Sequence, residues 1–492
     1  MKNINYKSLF SVSAAMLAGG AAAFAQSSRP NILIILTDQH SGSVTGFMGD
    51  PDVQTPSMDY LANHGYAFAH GYSANPVSVP ARLAIMTGTY PSTFKYRRNT
   101  ELSQLHTVDI DGIERNYANS MGFLFANAGY DTYYGGKIHL PTRNGHNTTD
   151  IDLYGFEHTF CIDQPTDFSF IQHRQLGEET AELLRELAEK KRDKPFLMVS
   201  SFINPHDICD FQIVDKPESN PVVSRKITRM GVILNEMRKL YEIRQKDEDE
   251  YWNLLPPLPD NFEPTEGVKK NCVRGIKTPF TDERWRQHNY IYDRLVEDLD
   301  YEIAPIVEAL QTTGLLKNTI VIFTSDHGEM NGAHRQEAKD VPYEECCVVP
   351  FVFLGPGVQS NIIDRSNAVS AGIDLLPTIL DFAGIESPGL PGTSVKALLT
   401  GEKTNLNRPY VFCEGRNWFQ VIKDGRYKYT IFEEKGNPDM LIDLVTDPGE
   451  MHNLSDSPEY KKLCNELNKV LKDSIRERGA VLRESANEAK RK

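Results

Sequence analysis

Three apolar runs of strand length each hand over to ionisable residues at the carboxyl end, and this pattern restricts the chain to few architectures. Asn31 to Thr37 (NILIILT) runs into Asp38-Gln39-His40, Pro195 to Phe202 (PFLMVSSF) into Asn204-Pro205-His206-Asp207, and Thr319 to Ser325 (TIVIFTS) into Asp326-His327-Gly328-Glu329. Runs of this kind suit strands covered on both faces, as in a parallel sheet held between helical layers. A weaker segment, Tyr130 to Tyr134 (YDTYY), leads into Gly135-Gly136-Lys137-Ile138-His139. Ligands of open α/β sheets gather outside the carboxyl ends of the strands. Four segments are thus expected to deliver carboxylates, imidazoles and a lysine to one edge.

The intervals carry helical periodicity. Between Trp285 and Leu310, the residues Tyr292, Leu295, Val296, Leu299, Ile303, Ile306, Val307 and Leu310 recur at helical spacing, with Gly314 as a stop. Pro305 is expected to kink or divide this helix. Residues 178–192 read as a charged amphipathic helix, and 210–283, which includes LLPPLPDNFEP, as an elaborated surface insertion. Past residue 400, FQVIKDGRYKYTIF reads as a hairpin turning at Asp424-Gly425, followed by a helix from Pro458 to Arg478. The expected fold is α/β: a large, mixed, mostly parallel sheet sandwiched by helices over residues 26–400, with a small C-terminal α+β subdomain over 401–492.

The amino terminus has the pattern of a cleaved secretory signal over residues 1–25. Lys2 and Lys7 precede an apolar and small-residue run from Leu9 to Phe24, and Ala23-Phe24-Ala25 stands before Gln26. No Cys follows that site and no later run is long enough to span a bilayer, so a periplasmic or secreted protein without a stable membrane anchor is expected. A net charge of −14 excludes nucleic acid as a partner, because neutralising phosphates requires a basic face. The seven cysteines lack CxxC spacing, and most are expected to be buried fillers.

Asp38 and Asp326, with Gln39 and His327 beside them, offer oxygen ligands and one imidazole. That donor set favours a hard divalent cation, Ca²⁺ before Mg²⁺. Taken alone, the two aspartates equally suit a helix cap and a turn. Arg82, Lys137, His139, His206 and Lys339 would complete a basic pocket for a tetrahedral oxyanion around such an ion. In SVPARLAIMTG, Ser78 to Gly88, Pro80 places Ser78 at a helix N-terminus with Arg82 one turn on. A bare Ser-x-Pro-x-Arg, taken alone, reads as a helix cap.

The segment SVPARLAIMTG resembles the signature of the sulfatase family, in which a Cys or Ser followed by x-Pro-x-Arg is oxidised to formylglycine. RPNILIILTDQH is similar to the family's first strand with its metal-binding aspartate, here Asp38. GGKIHL resembles the sulfate-binding segment, giving Lys137 and His139, and NPHD gives His206. TSDHGEMNGAH and AKDVPYEE resemble the second metal segment and a later lysine, giving Asp326, His327 and Lys339. LIDLVTDPGEMHNL is similar to a C-terminal pattern of the same proteins.

The resemblance implies an alkaline-phosphatase-like fold and a sulfuric ester hydrolase acting on a sulfated carbohydrate. It implies one Ca²⁺ per chain held by Asp38, Asp326, His327, Gln39 and residue 78, and a nucleophile made from Ser78 by a radical iron-sulfur maturation enzyme. Arg82 would steady that nucleophile, Lys137 and Lys339 bind sulfate, His139 assist elimination, and His206 or Lys339 protonate the leaving oxygen. Many members carry Asp where this chain has Gln39, and Cys where it has Ser78. A phosphodiesterase or phosphonate hydrolase of the same fold, and a non-catalytic binder of sulfated glycans, are the competing readings. Arg97, Arg98, His146, His334, Arg335, Arg416 and Trp418 are candidates for lining the substrate pocket.

Overall fold

The computed structural model describes residues 29–99, 109–141, 151–162, 169–190, 193–215, 231–266, 268, 280–434 and 438–480. The proposed signal peptide, Cys272 and His146 lie outside the described residues. The sheet contains β1 (Asn31–Asp38), β2 (Tyr66–Tyr72), β3 (Asp131–Gly136), β4 (His158–Ile162), β5 (Phe196–Pro205), β6 (Thr319–Ser325), β7 (Phe351–Leu354) and β8 (Ile362–Ser370). Its order is β4-β3-β5-β1-β6-β7-β2-β8. All pairings are parallel except those of β7, which runs antiparallel to both β6 and β2.

The pleat explains why β1 is apolar throughout. Ile32, Ile34 and Leu36 face a core shared with the helices Ser78–Thr87, Met121–Asn127 and Leu375–Ala383. Leu33 and Ile35 face the opposite core, shared with Pro56–Asn63, Ser169–Glu189 and Asp282–Thr313. Successive side chains point to opposite faces, so a strand covered twice has no position left for a polar side chain until it emerges at its end. Asp38 is the last residue of β1, and Asp326 follows β6 directly.

The helix Asp282–Thr313 starts where Thr281 accepts a hydrogen bond from the Arg284 amide and stops at the left-handed Gly314. It continues unbroken through Pro305, which corrects the expectation of a divided helix. The apolar positions on either side of the proline stay buried in the core, and that packing outweighs the missing backbone donor. The amphipathic helix before β5 spans Ser169–Glu189, nine residues earlier at its start than the periodicity suggested. In the Pro-rich insertion, Gly231–Lys246 and Glu248–Leu254 are helical, and Ile233, Leu240 and Tyr251 pack into the same core as the long helix.

The C-terminal part is a four-stranded antiparallel sheet in the order β12-β11-β10-β9, built from β9 (Tyr410–Glu414), β10 (Trp418–Lys423), β11 (Tyr427–Phe432) and β12 (Met440–Asp443). The β10–β11 turn at Asp424-Gly425 has positive φ at both positions, 54° and 66°, the conformation an Asp-Gly hairpin favours. Phe419, Val421, Tyr429, Ile431 and Leu441 pack on the helix Lys461–Glu477. Val411, Cys413, Trp418, Ile422, Met440 and Ile442 pack on Tyr72, Val341, Tyr343, Cys346 and Cys347 of the large domain. Of the six described cysteines, Cys346, Cys347 and Cys413 are the buried fillers expected, while Cys161 and Cys464 are half-buried and Cys209 is exposed. Among the described residues no helix is long and apolar enough to cross a membrane.

Candidate active site

Adjacent strand ends bring the two aspartates together. β1 and β6 run in register from Asn31↔Thr319 to Thr37↔Ser325, and the Asp326 amide then donates to the Thr37 carbonyl at 3.2 Å. Asp38 and Asp326 therefore emerge side by side, both at most 1 % exposed. The chain turns sharply after Asp38. Gln39 has φ 67°, and the Tyr292 hydroxyl of the long helix fixes the turn by donating to the Gln39 carbonyl (2.7 Å) and accepting from the Ser41 amide (2.9 Å).

Ser78 is the first residue of the helix Ser78–Thr87, which is buried along its whole length and closed by the left-handed Gly88. Its Oγ lies 3.0 Å from His327 Nε2 and 3.4 Å from Asp38 Oδ1. His327 Nδ1 sits 2.9 Å from the Gly328 carbonyl, an acceptor that requires the proton on Nδ1 and leaves the Nε2 lone pair turned inward. One ligand atom each from Asp38, Asp326 and His327 falls within 4.8 Å of the others. Two acidic oxygen donors and an oriented neutral imidazole, all buried, fit a divalent cation, and among the described residues this is the one such group of acids, cysteines and histidines.

Arg82, fully buried, ties the site together. Its Nε donates to Asp326 Oδ2 at 2.9 Å and one terminal nitrogen to Asp38 Oδ2 at 3.1 Å. The other terminal nitrogen reaches the Ser201 hydroxyl at 2.7 Å and the Lys137 carbonyl at 3.2 Å. Lys137 follows Gly136 at the end of β3, where φ is 84° and a Cβ would lie 2.1 Å from the Ser201 carbonyl; only glycine fits there. The turn carries the Lys137 ammonium to 2.7 Å from Asp38 Oδ2.

Burial alone would raise the Asp38 carboxyl, but Lys137, His206, Arg82 and Lys339 hold it well below the usual range. Burial and the neighbouring Asp38 charge push Asp326 up to about 7 against the same cations. The physical picture is of two carboxylates sharing one site, one firmly ionised and one reluctant. Burial, Lys137 and Lys339 drive His206 well below its ordinary value, and burial with Lys339 does the same to His327, so both rings are neutral. The Lys339 ammonium donates to the Gln39 side-chain oxygen, while Gln39 Nε2 donates to Glu329 Oε2 at 2.5 Å. His139 is half-buried with φ 46° at the end of the Lys137 turn.

The structure thus brings Ser78, Arg82, Lys137, Asp38, Asp326 and His327 into direct contact, with Gln39, Lys339 and His206 around them. The proposed pocket-lining residues separate. His334 is 3 % exposed and stacks on Tyr343 at 3.8 Å between ring centroids. Trp418 is buried with its indole donating to the Asp340 carbonyl at 3.1 Å. Arg97 pairs with Glu433 and lies over Phe419, and Arg335 pairs with Glu263 over Phe262. All four are engaged in packing or pairing within the chain. Arg416 remains exposed, its amide donating to Asp340 Oδ1 at 3.0 Å beside Lys339.

Sequence reasoning missed Glu329, Tyr292, Ser201 and Asn99. Asn99 Oδ1 accepts from the Val79 amide at 3.1 Å, satisfying the open N-terminus that Ser78 begins. Glu329 stands three residues after Asp326 within a segment already singled out. Tyr292 fits the apolar helical stripe, and nothing in that period reveals where its hydroxyl goes.

Comparison with known proteins agrees with this geometry. The chain matches the sulfatase family model over residues 30–385 and a model described as N-sulphoglucosamine sulphohydrolase, C-terminal, over residues 332–477. It is 30 % identical to the Delta 4,5-hexuronate-2-O-sulfatase of Bacteroides thetaiotaomicron, across 93 % of this chain and 90 % of that protein. Its fold superposes on the crystal structure of a putative sulfatase from the same organism with TM-score 0.73 at 26 % identity, covering 93 % of this chain and 94 % of that one. A structure described as a 2-O GAG sulfatase gives TM-score 0.71 at 26 % identity, covering 92 % and 93 %. With an alkaline-phosphatase-like sheet, a buried Ser-x-Pro-x-Arg helix set against paired aspartates, and a family match over most of its length, the chain belongs to the sulfatase family of sulfuric ester hydrolases.

Proposed function

We propose that the protein is an exported sulfatase of glycosaminoglycan oligosaccharides whose nucleophile is the formylglycine hydrate made from Ser78. One observation carries the reading: Ser78 Oγ sits 3.0 Å from His327 Nε2 and 3.4 Å from Asp38 Oδ1, at the centre of a buried carboxylate pair and its cations. The names of the similar proteins support a saccharide bearing sulfated uronate. Residues 26–400 would form the catalytic domain and 401–492 the C-terminal subdomain, after a signal peptide over 1–25.

Asp38, Asp326, His327 and the Gln39 amide oxygen would hold the metal, with Ca²⁺ preferred for the oxygen-rich donors. When bound, the ion supplies positive charge that favours an ionised nucleophile and neutralises a sulfate oxygen. Arg82 orients the aspartates and steadies the residue-78 side chain, while Lys137 and Lys339 present ammonium groups to the remaining sulfate oxygens. A hydrate hydroxyl at residue 78 attacks sulfur, the bond from sulfur to the sugar oxygen breaks, and that oxygen takes a proton. His206 and the Lys339 ammonium are the two candidate donors, and burial with two lysines lowers the His206 pKa, which favours Lys339. The second hydroxyl of the hydrate then loses its proton, helped by His139, the carbonyl re-forms, and sulfate leaves.

The test is to co-express the chain with a radical iron-sulfur maturation enzyme and assay sulfate release from defined sulfated disaccharides, with intact-mass analysis of the Ser78 peptide. A peptide lighter by two hydrogens and release from a 2-O-sulfated uronyl disaccharide are expected. Turnover of phosphate diesters or phosphonates alone would overturn the sulfatase assignment for this site, and a peptide never oxidised would make the protein a glycan binder.

A further inference from the structure

A cavity of about 400 Å³ lies beside the candidate active site, with Glu329, the partner of Gln39, in its lining. Ser41 and Glu329 line it from the strand-end loops, Pro256 to Asn261 from the Pro-rich insertion, and Asn289 and Asp293 from the long helix. Its side chains include Asp50, Asp260, Asp293, Glu329 and Glu345, and no Lys, Arg or His.

What distinguishes the cavity from an ordinary acidic surface is two buried acceptor atoms without partners beside an unpaired, largely buried carboxylate. Asp293 is 6 % exposed, and its carboxylate has no hydrogen-bond or salt-bridge partner among the described residues. Glu345 Oε2 and Asn331 Oδ1 are buried without hydrogen-bond partners, although Glu345 Oε1 takes the Asn261 amide at 2.6 Å. Arg294, the adjacent cation, gives one terminal nitrogen to the Asp52 carbonyl (2.6 Å) and Glu297 (2.9 Å) and makes no hydrogen bond to Asp293. Burial, with Asp50 adding to it, raises the Asp293 carboxyl well above its ordinary value. Buried oxygens left without donors carry a desolvation cost that a donor-bearing ligand relieves.

From this juxtaposition we infer a binding site for a small aliphatic di- or polyamine, its ammonium groups donating to Asp293, Glu345 and Asn331. A bare metal ion is the wrong size. Inner-sphere calcium needs its oxygens within a sphere of about 2.3–2.6 Å radius, whereas among the described residues the only acidic group so convergent is the one around Asp38. The volume is more than ten times the roughly 30 Å³ share of a water molecule, room for a several-carbon chain.

Isothermal titration of spermidine into the full chain, saturated with calcium and at fixed ionic strength, tests the site. One equivalent should bind to the wild type, and Asp293→Asn and Glu345→Gln should each weaken it about tenfold or more, in line with the loss of one charge-assisted hydrogen bond. Glu386→Gln, an exposed change of equal charge, should leave the affinity unaltered. Tetramethylammonium, which has charge but no N–H, should not compete. Equal weakening by Glu386→Gln, competition by tetramethylammonium, displacement by magnesium at the same ionic strength, or no saturable binding would each overturn the inference. Both cavity variants are near-isosteric, and unchanged melting of the free proteins establishes that they fold.

Discussion

Arg82 Nε lies 2.9 Å from Asp326 Oδ2 although the two residues are 244 positions apart in the chain. The same guanidinium also holds Asp38, so one side chain compensates two buried acids. Removing it leaves Asp326 without its cation and Asp38 with Lys137 alone, and loss of one member of a buried ionic network costs about 3–5 kcal/mol. Arg82→Ala is expected to lose about that much stability in urea unfolding. Arg82→Lys keeps a charge but not the planar fork, and should recover part of the stability and little of the sulfate release.

Chelation should act on stability as well as on turnover. With the cation removed, Asp38 and Asp326 repel each other across the site, and binding to the folded state alone adds about 2.7 kcal/mol at a hundredfold excess over Kd. Treatment with EDTA is expected to lower the melting temperature and stop sulfate release, and added Ca²⁺ to restore both with one equivalent per chain. Unchanged melting after complete chelation would count against the metal site.

The turn that aims Lys137 depends on Gly136. A Cβ there meets backbone at 2.1 Å, whereas Gly129, at a similar φ of 88°, has nothing within 4 Å. Gly129→Ala should cost about 1 kcal/mol for the left-handed conformation alone. Gly136→Ala should cost clearly more and lose sulfatase activity, because the backbone must shift where Lys137 leaves the strand. Thermal melts of the two variants side by side separate strain from collision.

A buried ion cluster joins the two sheets and sets a pH dependence. The Lys428 ammonium, fully buried, meets Glu344 at 2.8 Å and also Glu450. Burial pushes the Glu450 carboxyl up, Lys428 opposes this, Glu344 and Glu345 reinforce it, and the result is about 8. The native state therefore keeps a proton that the unfolded chain releases near pH 4.5. Its contribution to stability is complete below that pH and declines as pH rises through about 8. With calcium saturating, Glu450→Gln should flatten this part of the melting-temperature profile while costing little near neutrality. Lys428→Met should be strongly destabilising across the range, since it leaves the carboxylates without a cation.

The sheet was legible because doubly covered strands admit no polar residue until they end, so NILIILT and TIVIFTS mark both the strands and the point where chemistry begins. The site was legible for the same reason: Asp38, Asp326, His206 and Lys137 are the first ionisable groups past those ends. What stayed hidden depends on direction in space. The Tyr292 hydroxyl, the Asn99 cap and the stacking of His334 on Tyr343 follow from how distant elements meet, which residue spacing does not encode. Pro305 does not divide its helix because the missing hydrogen bond is a local loss, while the apolar stripe around it is held by the whole core.

The placement of β5, β1 and β6 as neighbours in the middle of the eight-stranded sheet has a mechanical meaning. β1 is hydrogen-bonded along both edges, so Asp38, Asp326 and His206 are mounted at the ends of the most firmly held strands, and fraying of β4 or β8 at the margins leaves their mutual distances intact. Loops at those margins can lengthen, shrink or be exchanged without moving these three strand ends apart.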